Sequence, residues 1–440
     1  MSGAVTRRVA YLASAFPHLT ETFVLREVDA LERDGWEVAI FALKESPLPA
    51  THLEAQRWKS LVQRPALTSR ALLGANLHYL LRAPGRVLGL WAQSLWWHRS
   101  SFNFLARVPV VLLRAAYVAR EMQRRDVRHV HAHLATHPAL GALAAARLAG
   151  TSFSVTAHAH DIFVNRAGLG EKLRRARFVA CISDFNRHFL LGHYPDLDPA
   201  RLALVRCGVI ADPASAQRAL RRQAATAGES EPSTVRIVCV ASLQEYKGVA
   251  VLVEACARLR DRIGAFECLF VGAGALRAEL ETRVAALGLQ DRVRFLGGQP
   301  MERVAELLDS ALVFVAPSVI ARDGQMDGIP VALMEALSKE VPVVASSLSG
   351  IPELVIHEQT GLLVPPGDAD ALAAAIERLT RNPELAARLA RQGREHVRRE
   401  FDLHENTARL ERLFEAAILA ARGQPHADPS TPPRPEQSPA

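Results

Sequence analysis

The chain has 440 residues, of which 49% are hydrophobic and 22% are charged, a composition typical of a globular protein that is too long for one ordinary core. Its formal net charge of +7 is small for this length, and its five scattered cysteines form no C-x-x-C pair, which argues against a disulfide framework or a cysteine zinc site. No uninterrupted apolar run approaches the ~18 residues of a membrane-spanning helix, so we expect a cytoplasmic protein, either soluble or bound to a membrane surface.

The first half of the chain alternates strand-like and helical patterns, which is typical of parallel βαβ units. The predicted strands are RRVAYLAS, EVAIFAL, HVHAH, SFSVTAH and FVACIS. A helix is predicted at ETFVLREVDALERDG, with apolar residues at helical spacing before a terminating Gly35. We therefore predict an α/β, doubly wound domain over residues 1–210.

One interval of this domain, about 55–120, is basic and rich in tryptophan. Between Glu54 and Glu121 it has no acidic residue but has ten Lys or Arg residues and four of the five tryptophans. Basic residues interleaved with Trp, Leu and Phe at roughly helical spacing suit a helix on an anionic bilayer surface. Nucleic acid is the other polyanion to consider, but no recognition motif accompanies the charge. The remaining alternative is a helical insert whose arginines are simply solvated.

The second half of the chain predicts a second domain of the same kind. Residues 211–233 are small and polar, which indicates an interdomain linker. The strands VRIVCVAS, FECLFVGAG, VRFLGG, LVFVAPS and VPVVASS then predict a doubly wound domain over 234–398. A closing helix is predicted over 399–422, and a disordered tail over 423–440, which has six prolines. Two such domains predict ligand binding in the crevice between them.

Two strand-to-helix turns of the second domain are candidates for ligand contact. Lys247 precedes a helix that begins near Val249, and there a lysine can meet phosphate together with the free amides of the helix. An exposed loop lysine is the alternative. Gly272 and Gly274 lie at the next turn, without the third glycine of the dinucleotide fingerprint. Close approach to a ligand and tight packing explain these glycines equally well.

Histidines are dense in two neighbouring segments, HVHAHLATH and FSVTAHAHDIF. The residues concerned are His131, His133, His137, His158, His160 and Asp161. Imidazoles two apart on a strand share a face, so a metal site is one interpretation. Asp161 could instead cap the following turn while the histidines hydrogen-bond locally. In a third interpretation, one histidine at a strand end faces the crevice and a substrate hydroxyl. Spacing leaves all three open, and the metal is the least supported.

The segment MDGIPVALMEAL carries two acids around a helix start. Pro330 suits the first position of a helix, so Asp327 lies in the preceding loop and Glu335 lies about a turn inside. Helix N-termini favour anions, so Asp327 could simply offset the helix dipole. Glu335 has apolar neighbours, and a buried carboxylate is costly unless it is hydrogen-bonded. A hydroxyl-rich ligand is a natural partner for it.

Together these segments resemble the large retaining glycosyltransferase family 4, and specifically its bacterial exopolysaccharide (colanic-acid-type) members. The segments that carry the resemblance are FPHLTETFVLREVDAL, HAHLATHPALGALAAARLAG, FSVTAHAHDIF, VACISDFNRHFL, VRCGV, VASLQEYKG, VGAG, DGIPVALMEALSKEVPVVAS and SGIPELVIHEQTGLLVPPGD. The resemblance covers nearly the whole chain. It implies a GT-B fold of two Rossmann-like domains facing across a cleft, with the acceptor on the first domain and the donor mainly on the second. Residues 399–422 would form the helix that crosses back to the first domain.

The resemblance also implies roles for individual residues. Asp327 stands where the family's E-x7-E motif has its first Glu, and Glu335 is the second; they would hold the donor's sugar and ribose. Lys247 would bind the diphosphate, while Ser242 stands where an arginine is often found. The implied catalytic residues are His158, Asp327 and Lys247. The implied donor-binding residues are Lys247, Ser242, Gly272, Gly274, Asp327, Gly328, Ile329, Pro330 and Glu335. The implied acceptor-binding or secondary residues are Thr20, Glu21, Thr22, His160, Asp161, Gly350 and Glu353.

The implied chemistry is retaining transfer of a hexosyl-type sugar from a nucleoside diphosphate. Fixed cations and amides at the phosphates would stabilise the leaving group, so we expect no metal and no cofactor. The expected partners are a nucleotide-sugar donor, a glycan or lipid-linked acceptor and the inner face of the plasma membrane, with no nucleic acid. The alternatives are a metal-dependent hydrolase using the histidines, a non-catalytic nucleotide-sugar-binding protein, and a nucleotide-sugar epimerase of similar architecture.

Overall fold

The computed structural model describes residues 7–17, 22–45, 53–210, 217 and 234–422, and the statements below concern these residues. They form two six-stranded, wholly parallel sheets with strand orders β2-β1-β3-β4-β5-β6 and β12-β11-β10-β7-β8-β9. The predicted α/β, doubly wound architecture is confirmed. The predictions for the tail over 423–440 and, apart from position 217, for the linker over 211–233 lie outside the described residues.

The strands of the first sheet are β1 (Arg8–Ala13), β2 (Glu37–Ala42), β3 (His129–His133), β4 (Ser152–Ala157), β5 (Val179–Cys181) and β6 (Leu202–Leu204). Those of the second are β7 (Val235–Val240), β8 (Phe266–Val271), β9 (Val293–Gly297), β10 (Val313–Ala316), β11 (Val343–Ser346) and β12 (Leu362–Val364). The edge strands β6 and β12 were not predicted from the sequence. Each has only three residues, too few for an alternating pattern to indicate a strand.

The α-helices of the first half are α1 (Thr22–Arg33), α2 (Leu53–Leu61), α3 (Arg70–Arg82), α4 (Pro84–His98), α5 (Phe102–Leu105), α6 (Val108–Arg124), α7 (His137–Ala149), α8 (His160–Phe163), α9 (Leu169–Arg175) and α10 (Asp184–His193). Those from residue 234 onward are α11 (Val249–Leu259), α12 (Arg277–Ala286), α13 (Met301–Ser310), α14 (Val331–Ser338), α15 (Ile351–Leu354), α16 (Ala369–Arg381), α17 (Pro383–Glu400) and α18 (Leu403–Arg422).

Helices cover both faces of the first sheet, as parallel sheets require. The buried side chains of α6 and α7 pack on one face, while those of α1 and α18 pack on the other. Helix α18 therefore joins the core of the first sheet although it lies at the opposite end of the chain. Its Phe414 is fully buried, with its ring 5.6 Å from that of Trp36 and 6.0 Å from that of Phe178.

One helical segment is long and apolar enough to cross a membrane, although no uninterrupted apolar run in the sequence indicates it. It spans Phe102–Arg124, has a mean hydropathy of 1.4 in its most apolar window, and half of that window is buried inside the protein. The buried side chains of α6, within this segment, belong to the core of the first sheet. Burial of this kind is typical of a core helix.

The packing of α18 generates a stability prediction. Phe414→Ala should lower the free energy of unfolding by about 3–5 kcal/mol, because a fully buried aromatic ring is lost and a cavity remains. Urea unfolding measures this. Leu419→Ala, in the same helix but half exposed, should cost less than about 1 kcal/mol. Equal losses for the two variants would contradict the assigned packing of α18.

Candidate functional site

The carboxyl ends of the two sheets face each other, and the residues singled out in the sequence gather there. His158 follows β4, Lys247 follows β7, and Asp327 follows β10. The two sides are in close contact: a Cβ atom on Gly328 would lie 3.5 Å from the carbonyl oxygen of His158. Crevices at the carboxyl ends of strands are where open α/β sheets bind ligands.

Lys247 and Asp327, 80 positions apart in the sequence, form an ion pair. Lys247 Nζ lies 2.6 Å from Asp327 Oδ1, and the Ser318 hydroxyl donates to Asp327 Oδ2 at 2.8 Å. Burial lowers the pKa of Lys247, but the Asp327 carboxylate and the Tyr246 phenol outweigh it, and the net shift is upward. Lys247 is therefore a cation at neutral pH, and Asp327 is held between two donors.

A glycine brings this lysine to the end of β10. Gly248 has a φ of 63°, in the left-handed region, and precedes α11. A Cβ atom there would lie 1.8 Å from the carbonyl oxygen of Pro317, so no other residue fits without a backbone shift. This close approach lays the turn containing Lys247 against the loop that follows β10.

The backbone at Gly272 and Gly274 packs tightly, which fits one of the two alternatives left open by the sequence. Cβ atoms there would lie 1.9 Å from the carbonyl oxygen of Ala241 and 2.3 Å from that of Leu243. The turn after β8 therefore packs directly on the backbone around Ser242. Both turns follow neighbouring strands and border the same end of the second sheet.

Glu335 has a protein partner on the opposite side of the cleft. Its Oε1 lies 2.5 Å from Nη2 of Arg26 in α1, and both side chains are partly buried. The sequence predicted that this acid needs a hydrogen-bonding partner, but it did not indicate Arg26. Thr22 begins the same helix α1, whereas Thr20 and Glu21 lie outside the described residues.

Glu353 connects the two sheets through main-chain amides. Its carboxylate accepts hydrogen bonds from the amides of Asp184 (3.0 Å) and Phe185 (2.8 Å), at the amino end of α10, and from Nη2 of Arg206 (3.0 Å). An anion at a helix amino end satisfies amides that have no partner within the helix. Gly350 belongs to the same contact, since a Cβ atom there would lie 2.9 Å from Cβ of Ser183.

Asp161 holds the backbone around His158. Its carboxylate accepts hydrogen bonds from the amides of Ala135 (2.7 Å), His158 (3.1 Å) and Ala159 (2.8 Å). Burial raises the pKa of Asp161, and these backbone hydrogen bonds lower it in part. The suggestion that Asp161 caps the following turn is wrong, because α8 has no side-chain cap and the carboxylate binds amides that precede it. His160 is exposed at the start of α8.

The buried histidines are joined to each other and to α1 by hydrogen bonds. His158 Nε2 lies 3.2 Å from His133 Nδ1, and His133 Nε2 lies 2.9 Å from Glu27 Oε1, which also accepts from the Tyr11 hydroxyl at 2.6 Å. Burial, and then the neighbouring His133, lower the pKa of His158 well below its usual value. His158 is therefore a neutral imidazole at physiological pH.

One group here has the composition of a metal site. Glu27, His131 and His133 each offer a ligand atom, and these atoms lie within 4.8 Å of one another. Both ring nitrogens of each histidine also lie within hydrogen-bond distance of protein side chains. The geometry thus fits histidines that hydrogen-bond locally, the alternative to a metal that the sequence left open.

Four further residues at the site were missed by sequence reasoning: Arg26, Glu27, Arg206 and Ser318. Arg26 and Glu27 lie in the predicted helix, but helical periodicity identifies only its buried apolar face. Arg206 lies in VRCGV and Ser318 ends LVFVAPS, but neither segment indicated a role for these side chains. Their roles follow from contacts between segments that are distant in the sequence.

Comparisons with known proteins fit this geometry. Residues 20–212 match the family described as Glycosyltransferase Family 4, and residues 223–396 match Glycosyl transferases group 1. The chain is 30% identical over 419 residues to the Escherichia coli glycosyltransferase WcaL, named for colanic acid biosynthesis, covering 93% of this chain and 100% of that protein. It is 43% identical over 181 residues to the amylovoran biosynthesis glycosyltransferase AmsK of Erwinia amylovora, covering 41% of this chain and 44% of that protein.

Solved structures share the fold. A glycosyltransferase from Rickettsia africae superposes with a TM-score of 0.69 at 17% identity, covering 94% of this chain and 99% of that chain. Anabaena Alr3699/HepE in complex with UDP-glucose gives a TM-score of 0.67 at 17% identity, with the same coverage. At this level of identity the likeness concerns the fold alone.

The contact of Glu353 with α10 generates a prediction. Glu353→Ala should lower the free energy of unfolding by about 1–3 kcal/mol, because two amides and a guanidinium lose their acceptor. Small-angle X-ray scattering should also show a larger radius of gyration, since the two sheets are held less firmly. Glu353→Gln, which keeps an acceptor oxygen, should lose less.

Glu395→Ala is the matched control, because Glu395 forms an exposed ion pair with Arg398 within α17. It should cost less than about 1 kcal/mol and leave the radius of gyration unchanged. If Glu353→Ala behaved like this control, Glu353 would not hold the two sheets together.

Proposed function

The chain belongs to glycosyltransferase family 4, a family of retaining enzymes that use nucleotide sugars, and on this premise we propose that it transfers a hexosyl-type sugar to a lipid-linked glycan at the cytoplasmic face of the membrane. The observation that carries the proposal is the Lys247–Asp327 pair at the mouth of the cleft. The likeness to proteins named for colanic acid and amylovoran biosynthesis supports a role in bacterial extracellular polysaccharide synthesis.

In this proposal Lys247 binds the diphosphate of the donor. The hard step is departure of the diphosphate, and a fixed cation at the developing negative charge lowers that barrier. Lys247 carries its charge at neutral pH and is positioned by Asp327. The amides at the start of α11 add a second source of positive potential, and the hydroxyl of Ser242 is a further donor in the adjacent turn.

The acids would bind the donor's hydroxyl groups. Asp327 accepts hydrogen bonds from the sugar together with the backbone around Gly328, Ile329 and Pro330, and Ser318 keeps its carboxylate in place. Glu335 accepts from the ribose. An ionised carboxylate has about four lone-pair sites, so Glu335 can accept ribose hydroxyls while Arg26 stays bound.

His158 would lie beside the reacting sugar. Positive charge builds on the anomeric carbon as the diphosphate departs, and a cationic imidazole there would oppose it. Burial keeps His158 neutral, so its ring can contact the sugar without this repulsion. Asp161 holds the backbone that positions the ring.

The basic, Trp-rich interval supports contact with a membrane surface. Among the described residues, ten of the thirteen exposed large hydrophobic side chains lie between Leu61 and Phe102. Eight of these ten lie on α3, α4 and α5, which have no acidic residue. Apolar side chains exposed on such helices match an anionic bilayer in both polarity and charge. A lipid-linked acceptor would reach the cleft from this surface.

Turnover of nucleotide sugars tests the donor site. In a panel of nucleoside diphosphate sugars, the wild type should release the nucleoside diphosphate from one donor, and Lys247→Ala should lower kcat by about 100-fold or more. Glu335→Ala should mainly raise the KM for the donor. Arg303→Ala, at an exposed ion pair on α13, should change neither constant.

Equal turnover in Lys247→Ala and the wild type would contradict the site. A change in the sugar without an acceptor would point to an epimerase. Donor binding without turnover would indicate a non-catalytic binding protein, and activity that depends on a stoichiometric bound metal would indicate a hydrolase.

Co-sedimentation with vesicles tests the membrane surface. The wild type should bind vesicles that contain anionic phospholipid and bind neutral vesicles less tightly. Leu81 is 72% exposed and Phe102 is 82% exposed, and replacing both with serine should weaken binding about tenfold or more, because their apolar area no longer enters the bilayer. Ile320→Ser, equally apolar but in the other domain, should bind like the wild type. An equal loss in this control would contradict the assigned surface.

A further inference from the structure

Four polar side chains from four separate segments meet in one line of hydrogen bonds. Tyr11 belongs to β1, Glu27 to α1, His133 to β3, and His158 follows β4. The oxygen and nitrogen atoms that join them lie 2.6 Å, 2.9 Å and 3.2 Å apart in that order. His158 borders the cleft, where it is 7% exposed. The other three have no place in the donor site described above.

The first hydrogen bonds have a fixed direction. Burial, and then the Glu27 carboxylate, raise the pKa of Tyr11 well above its usual value, so its phenol keeps its proton and donates. The same carboxylate oxygen, Oε1, meets Nε2 of His133. An ionised carboxylate only accepts, so Nε2 of His133 must carry a proton.

The proton on Nε2 of His133 also sets the direction of the hydrogen bond between His133 and His158. With its proton on Nε2, a neutral His133 has a lone pair on Nδ1, and that lone pair accepts from Nε2 of His158. A neutral His158 with its proton on Nε2 has a lone pair on Nδ1. The ring of Phe23, 4.6 Å from that of His158, packs against it and helps to hold its orientation.

We propose that Glu27 and His133 are positioning residues that fix His158 in one tautomer, with its proton on Nε2, so that Nδ1 accepts a hydrogen bond from a sugar hydroxyl. This inference rests on the proposed function, which places His158 beside the reacting sugar. It assigns His158 the role of acceptor, whereas the opposite tautomer would make it a donor. The ligand group it recognises is a hydroxyl, because an ether oxygen or a deoxy position offers no proton.

Nitrogen NMR of the full chain labelled with ¹⁵N-histidine tests the tautomer directly, because protonated and unprotonated ring nitrogens resonate at separate frequencies. The His158 signals are identified by their loss in His158→Asn. We expect a protonated Nε2 and an unprotonated Nδ1. A protonated Nδ1, or an equal mixture of the two tautomers, would overturn the proposal.

Variants of Glu27 test the positioning. Glu27→Ala removes the acceptor that fixes His133, so the His158 signals should shift toward a mixture of tautomers, and kcat should fall about tenfold while the donor KM changes little. Glu27→Gln keeps an oxygen for Tyr11 and His133 and should restore much of the wild-type signal. Glu32→Ala, on the same helix but paired with Arg57 near the surface, should change neither the signals nor kcat. Unchanged His158 signals in Glu27→Ala would overturn the role of Glu27.

The NMR result is separable from the proposed function. If the protein transferred no sugar, the proposed function would be wrong. The expected nitrogen signals in that same protein would still support the positioning of His158 by Glu27 and His133. A donor analogue that lacks one sugar hydroxyl connects the tautomer of His158 with recognition of the sugar. If Nδ1 accepts from that hydroxyl, Glu27→Ala should lower kcat with the complete donor. It should leave kcat with the analogue, which is already low, nearly unchanged. An equal fall in kcat with the complete donor and with the analogue would contradict the hydrogen bond from this hydroxyl to Nδ1.

Discussion

The carboxylate of Glu353 joins the two sheets at their carboxyl ends. It belongs to the second domain, yet it accepts two main-chain amides at the amino end of α10 and the guanidinium of Arg206. Gly350 lies within the same contact, close enough to Ser183 that a side chain would collide. Together with the Arg26–Glu335 pair and the close approach of Gly328 to His158, this contact holds the side of the cleft that carries Lys247 against the first domain.

Helix α1 serves both sides of the resulting cleft. Phe23 packs on the ring of His158, Arg26 pairs with Glu335, and Glu27 accepts from His133. These positions are three and four apart, so they share one face of the helix. Val24, Leu25, Val28 and Leu31 of the same helix pack on the first sheet. One helix thus links the core of the first domain, the histidines and Glu335 of the second domain.

The sequence predicted the parts of this fold that depend on local pattern. Alternating strands and helices gave both doubly wound domains, and the turns after the strands contained Lys247, Asp327 and Glu335. The edge strands β6 and β12 were missed because three residues carry no period. The partners of the charged residues were missed for a different reason: Arg26 and Glu335 are 309 positions apart and meet only through the tertiary fold. Glycines at 272 and 274 were ambiguous until the carbonyl groups opposite them were located.

We propose that a nucleotide sugar binds between the two sheets, against the turn after β7 and the start of α14. Hydrogen–deuterium exchange of the full chain, with and without the nucleoside diphosphate that raises its melting temperature most, tests this claim most directly. We expect slower amide exchange in residues 245–252 and 327–338 when the nucleotide is bound. Slower exchange confined to other segments, or none at all under saturating nucleotide, would contradict it.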